Sequence, residues 1–169
     1  RSHLCSVDLL RLFVTSIGNP RMVAPRVPAA GGIVYHDVTE KKGAEKGVAG
    51  VVDVLIAVNR RAGGHAGERT AEALLAELAG FNVPVICAGG VGTAEEFAAA
   101  LRLGYAGVPM GPRFIATTDG RASGAAQAPI ARSPGEPTVL TERLTGAPVR
   151  LLRTPYHHRP ALRAGPPPG

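Results

Sequence analysis

The sequence predicts an α/β fold built on a parallel sheet. Short apolar runs of strand length recur between helical stretches, they are apolar on both faces, and the connections between them are only a few residues long. An antiparallel sheet with one wet face would instead show alternating apolar and polar positions. The runs cover residues 12–16, 32–36, 53–58, 83–88 and 106–110, and each is rich in β-branched or aliphatic side chains. Strand followed by helix followed by strand, with short links, implies right-handed parallel units.

Two helices are well marked. Over residues 68–79, Ala71, Leu74, Leu75 and Leu78 recur at three- and four-residue spacing, and Gly80 follows as a stop. The second opens at Thr93 as N-cap, carries Glu95 and Glu96 in its first turn, turns Phe97, Ala100 and Leu101 inward and closes at Gly104. Between the first three strands the helical signal is poor. The stretch 19–30 contains Pro20, Pro25 and Pro28, and an interior proline removes a hydrogen bond and costs roughly 3 kcal/mol. After Phe114 the alternation stops, and the Gly-, Pro-, Ser- and Ala-rich stretch 119–137 reads as a mobile loop. Residues 138–154 are expected to hold a short helix or strand, and 157–169, ending in Pro-Pro-Pro-Gly, a frayed or extended tail.

The 169 residues suffice for one domain with a core but fall short of the roughly 250 that a complete (β/α)8 barrel needs. Only 4% of residues are aromatic and none is Trp, so small aliphatic side chains must build that core. The net charge of +6 comes mostly from scattered Arg; a pair such as Arg60-Arg61 makes no nucleic-acid stripe, and no nucleic-acid partner is expected. Cys87 sits in an apolar run as a small buried thiol and Cys5 in a different context, so no disulfide framework is indicated. No stretch approaches the roughly 18 apolar residues of a membrane span and no signal-peptide pattern opens the chain, so a cytoplasmic location is expected. The chain begins without Met and runs quickly into an apolar segment, which reads as a truncation of something longer.

Three glycine-rich turns follow three successive predicted strands, at the end of a parallel sheet where ligands bind. The first, residues 62–67, sets His65 beside Gly63 and Gly64. Glycine allows positive φ and close approach of a flat ligand, and an imidazole exchanges protons near neutral pH, so His65 is the candidate catalytic base. A lone histidine is more often a surface or core residue; its place inside a glycine cluster at a strand end favours the base. The second turn, residues 88–93 with Gly89 and Gly90, precedes a capped helix whose free N–H groups suit an anion such as phosphate. The third, with Met110, Gly111 and Pro112 followed by Arg113, adds a glycine backbone where barrels commonly seat a phosphate. His36 and Asp37 end the second strand, and a hydrogen-bonding pair is the preferred reading over a substrate-facing one. The adjacent His157 and His158 point in different directions with no further ligands nearby, so no metal site is expected.

These residues resemble the nitronate monooxygenases, formerly 2-nitropropane dioxygenases. The resemblance runs through 14–20, 31–39, 57–59 and 62–67, then 88–91, 101–107, 110–111, 113–118 and 140–146, in one order along the chain. It implies the C-terminal half of an FMN-dependent TIM (β/α)8 barrel: about the last five parallel strands with their helices, with the N-terminal strands missing. Residues 1–118 would form this partial FMN-binding barrel domain and 119–169 an irregular, loop-rich C-terminal segment. The resemblance further implies that His65 faces the flavin at the substrate site and that FMN contacts fall on Gly63 and Gly64, Gly89 and Gly90, and Met110, Gly111 and Pro112. Such enzymes oxidise alkyl nitronates with dioxygen to a carbonyl compound and nitrite. The chain departs from the family at Pro109 and Pro112, where Gln and Thr are usual, and proline has no N–H to offer. A truncated or decayed copy is therefore expected, self-associating through open sheet edges. Two other readings stand beside it: a flavin-dependent enoyl-acyl-carrier-protein reductase, which shares the Gly-Gly-His turn, and a non-catalytic half-barrel remnant.

Overall fold

The computed structural model describes residues 11–16, 20, 31–132, 138–143 and 146–152. Four strands, β1 (Leu12–Thr15), β2 (Ile33–Val38), β3 (Val54–Val58) and β5 (Val85–Ala88), form one sheet in chain order, and every pairing is parallel. The interposed β4 (Gly64–His65) is a two-residue strand belonging to a second sheet.

Register divides the parallel sheet into two apolar faces. On one, Val34, Val38, Leu55, Ala57, Val85 and Cys87 pack against Leu74 and Leu78 to make the main core. Burying each large aliphatic side chain contributes about 1.5–3 kcal/mol. On the other face, Ile56 and Val58 pack with Ala62 and Ala66, backed by Tyr35, Ile86 and Ala88. Toward the β1 edge this second face lies open, with Leu12, Val14 and Ile33 about half exposed.

The two expected helices form. The first is α2 (Ala71–Leu78), shorter than expected, because Thr70 caps it by accepting from the Ala73 N–H, while the Arg69 carbonyl is held by the Arg60 N–H. The other, α3 (Ala94–Leu103), carries a full Thr93/Glu96 capping box and ends at Gly104 with φ +112°. A further helix, α1 (Lys41–Ala49), connects β2 to β3 where sequence gave little signal. Gly43 and Gly47 obscure it, yet a Cβ at Gly47 would lie 2.8 Å from the His36 Cδ2. Glycine costs helix stability there and permits the close approach. The N-cap residue Glu40 provides no side-chain cap; instead Glu77 of α2 accepts from the Lys41 N–H at 2.8 Å and pairs with Arg69.

Two expectations are corrected. The run 106–110 is no strand: it contributes a single parallel bridge, Gly107 to Ile86, and Pro109 beyond it has no N–H with which to extend the ladder. The stretch read as a mobile loop contains α5 (Gly124–Arg132), preceded by the four-residue α4 (Pro112–Ile115), in which Pro112 takes the early helical position where its missing N–H costs nothing. Residues 138–154, expected to hold a short helix or strand within an otherwise irregular segment, contain β6 (Thr138–Thr141) and β7 (Val149–Leu152), an antiparallel pair that is joined to β4. The prolines at 25 and 28, Cys5, His157, His158 and the Pro-rich tail lie outside the described residues.

Candidate functional site

All three glycine turns leave the same end of the sheet, because the segments feeding them run parallel: Val58 at the end of β3 pairs with Ala88 at the end of β5, and Gly107 makes a parallel bridge to Ile86. The first turn does not hang free. Gly64, at φ +73°, lies opposite Arg150, and His65 lies opposite Val149 in β7. Arg150 reaches back to the Arg60 carbonyl at 2.8 Å, and the Ala66 N–H donates to the Pro148 carbonyl. His65 is thereby presented, exposed, from a short bridged segment.

The first and second turns touch. At Gly89, φ +117°, an added Cβ would lie 2.5 Å from the Ala62 nitrogen and 2.6 Å from the Asn59 Oδ1; at Gly90, φ +72°, it would strike the Arg61 side chain. Asn59, 1% exposed, joins them: its Nδ2 donates to the Gly89 carbonyl at 2.9 Å, and its Oδ1 accepts from the Arg61 N–H at 2.7 Å. Sequence reading gave Asn59 no role, although a polar residue closing an apolar strand just ahead of a glycine turn is a signal that could have marked it.

Two of the N–H groups expected to be free at the start of α3 are engaged. Glu96 Oε2 accepts from the Gly92 and Thr93 N–H groups at 2.8 and 3.2 Å, so two donors are already taken by the helix's own capping carboxylate. The Gly92 bond first, then the Arg61 guanidinium and the Thr93 bond, hold the Glu96 carboxyl below its ordinary value. Its other oxygen pairs with Arg61 at 3.1 Å.

A cavity of about 250 Å³ opens at the ends of β1, β2 and β3, against the first turns of α1. Of the expected site residues, His65 alone lines it, together with His36, Asp37, Thr39, Lys42 and Lys46 among others; Gly89, Gly90, Met110, Gly111 and Pro112 do not. His36 is 3% exposed, and its Nδ1 lies 2.8 Å from the Thr15 hydroxyl, which itself donates to the Tyr35 carbonyl. Burial pushes the His36 imidazole below its ordinary value, against the opposing pull of Asp37 and Thr15. His36 is thus hydrogen-bonded to Thr15 rather than paired with Asp37, and both His36 and Asp37 line the cavity. Among the described residues no group of acidic, His or Cys side chains could hold a metal ion, and no helix is long and apolar enough to cross a membrane.

The nitronate monooxygenase family model matches residues 8–161. The chain belongs to the nitronate monooxygenase family. It is 34% identical over 158 residues to a (3aS,4S,5R,7aS)-5-hydroxy-7a-methyl-1-oxo-octahydro-1H-indene-4-carboxyl-CoA dehydrogenase of Mycobacterium tuberculosis, covering 91% of this chain and 44% of that protein. Among solved structures it is similar to FabK from Thermotoga maritima, with a TM-score of 0.78 and 32% identity over 86% of this chain and 47% of that one. It is also similar to a nitroalkane oxidase from Streptomyces ansochromogenes, with a TM-score of 0.75 and 29% identity over 85% and 46%. This nitronate monooxygenase family member thus spans less than half the length of these relatives.

Proposed function

We propose that this chain carries the base-bearing part of a flavin-dependent nitronate-oxidising site, on strands belonging to a (β/α)8 barrel, with His65 as the base and FMN as the cofactor. The observation that carries the reading is the placement of His65: after a positive-φ glycine, in the turn that follows the C-terminal end of the parallel strand β3, on the wall of a cavity.

The fit to a flat ligand rests on the glycines. A Cβ at Gly63, Gly64 or Gly111 would meet nothing within 4 Å, so the packing of the chain itself leaves these positions bare. Gly63, Gly64, Gly89, Gly90, Met110 and Gly111 would hold FMN through backbone contacts. Pro112 offers no N–H, and Glu96 already occupies two donors, so the phosphate end is poorly furnished. When bound, FMN would supply electron transfer between an alkyl nitronate and dioxygen, giving a carbonyl compound and nitrite. His65 would hold or accept a proton at the substrate.

Nitronate-dependent oxygen uptake with added FMN tests the reading, alongside flavin fluorescence of the purified chain. Oxidation of a nicotinamide donor without nitronate-dependent uptake would favour the enoyl-acyl-carrier-protein reductase, a reading supported by the likeness to FabK. Absence of both activities and of flavin, even when the remainder of a homologous barrel is supplied, would leave a non-catalytic remnant.

A further inference from the structure

Asn59 stands at the last backbone position of the β3 ladder, its N–H donating to the Ala88 carbonyl. Beyond it the chain must leave the sheet and form the turn that bears His65. A buried amide at this place is costly unless its polar atoms are matched, at about 1–3 kcal/mol for each group left unsatisfied. Asn59 matches them across two different turns. The Nδ2 donates to the Gly89 carbonyl at 2.9 Å and approaches the Cys87 Sγ at 3.6 Å; the Oδ1 takes the Arg61 N–H at 2.7 Å. The Asn59 carbonyl accepts from the Ala62 N–H at 3.1 Å, closing the first bend of the His65 turn. Close packing of Gly89 on Ala62 completes the junction.

We propose that Asn59 is a positioning residue: its side-chain amide fixes the His65 turn against the Gly89–Gly90 turn, so that the imidazole and the glycines facing the ligand are held as one unit. This rests on the proposed role of His65 for its chemical meaning, and on these hydrogen bonds alone for its geometry. A mere filler of the core could be replaced by an apolar side chain of similar size. A positioning amide cannot be, because donor and acceptor serve different turns. Asp retains the acceptor for Arg61 and loses the donor to Gly89.

The test uses the whole chain, ¹⁵N-labelled, as wild type, Asn59→Asp and Asn59→Leu. Amide signals of α2 and α3 report whether each variant keeps the fold. The expected result is split: in Asn59→Asp the Arg61 amide keeps its wild-type hydrogen-exchange rate within about twofold while the Gly89 and Gly90 signals move; in Asn59→Leu, Arg61 exchange also rises at least about tenfold, the loss of one hydrogen bond worth roughly 1.4 kcal/mol. If Asn59→Leu does not fold, the split in Asn59→Asp decides. With FMN and nitronate, Asn59→Asp should lower kcat more than it alters flavin content or KM. Unchanged Arg61 exchange and unchanged Gly89 and Gly90 signals in a folded variant would overturn the proposal. If the wild type shows neither flavin binding nor turnover, the flavin reading fails and the exchange data still decide Asn59.

Discussion

Alanine at Gly89 and alanine at Gly63 should separate glycines required by the chain from glycines reserved for a ligand. At Gly89 the backbone lies at φ +117°, and the new Cβ would come within 2.5 Å of the Ala62 nitrogen and 2.7 Å of its Cα. The conformation costs an L-residue about 1–3 kcal/mol, and a clash with backbone, which no rotamer relieves, adds about 1–3 kcal/mol. Gly89→Ala should therefore lose about 2–6 kcal/mol, a large part of a marginal stability of about 5–15 kcal/mol. At Gly63 the Cβ enters open space and φ is not positive, so Gly63→Ala should stay within about 0.5 kcal/mol of wild type. Urea unfolding at a common m-value measures both. A flavin fluorescence titration should then show Gly63→Ala weakening FMN where the fold is intact, since the methyl would stand in the ligand's path. Equal stability losses at the two sites would refute the packing argument, and a Gly63→Ala protein binding FMN as well as wild type would refute the ligand argument.

Four further outcomes are expected. In a complete homologous barrel carrying this half, His65→Ala should lower turnover by about 10² to 10⁴-fold with a much smaller loss of flavin, measured as turnover per bound FMN. Thr93→Ala removes the acceptor of the Glu96 N–H and should cost about 0.5–2 kcal/mol by chemical denaturation. His36, held below 6.5 by burial, protonates first in the unfolded chain. Its contribution is whole above pH 6.5 and shrinks as pH falls through the lowered folded value, so acidification should destabilise wild type more steeply than a folded His36→Gln variant. The chain alone should bind FMN weakly and self-associate through the β1 edge, where Leu12, Val14 and Ile33 are exposed; a monomeric preparation with stoichiometric FMN by sedimentation and absorbance would contradict this.

The parallel order of β1, β2, β3 and β5 was legible because runs apolar on both faces and short links leave few alternatives. The α3 boundaries were legible too, since Thr93, Glu96 and Gly104 act within a turn of themselves. What sequence concealed was decided by partners far along the chain. The helix α1 forms against its glycine content because Gly47 sits on His36 and because Glu77, 36 positions beyond Lys41, caps its first turn. The run ending at Pro109 was apolar enough for a strand, yet beyond Gly107 the ladder has no proline N–H to use. The same holds at the site. Glycine clusters and an imidazole could be read locally, and so could their common end of the sheet. Three things could not: that Asn59 ties two of the turns together, that Glu96 takes the donors an anion would want, and that β7 pairs with His65 from 84 positions away. Local sequence fixes backbone preference and periodicity, whereas hydrogen-bond partners across the fold are chosen only when the elements pack.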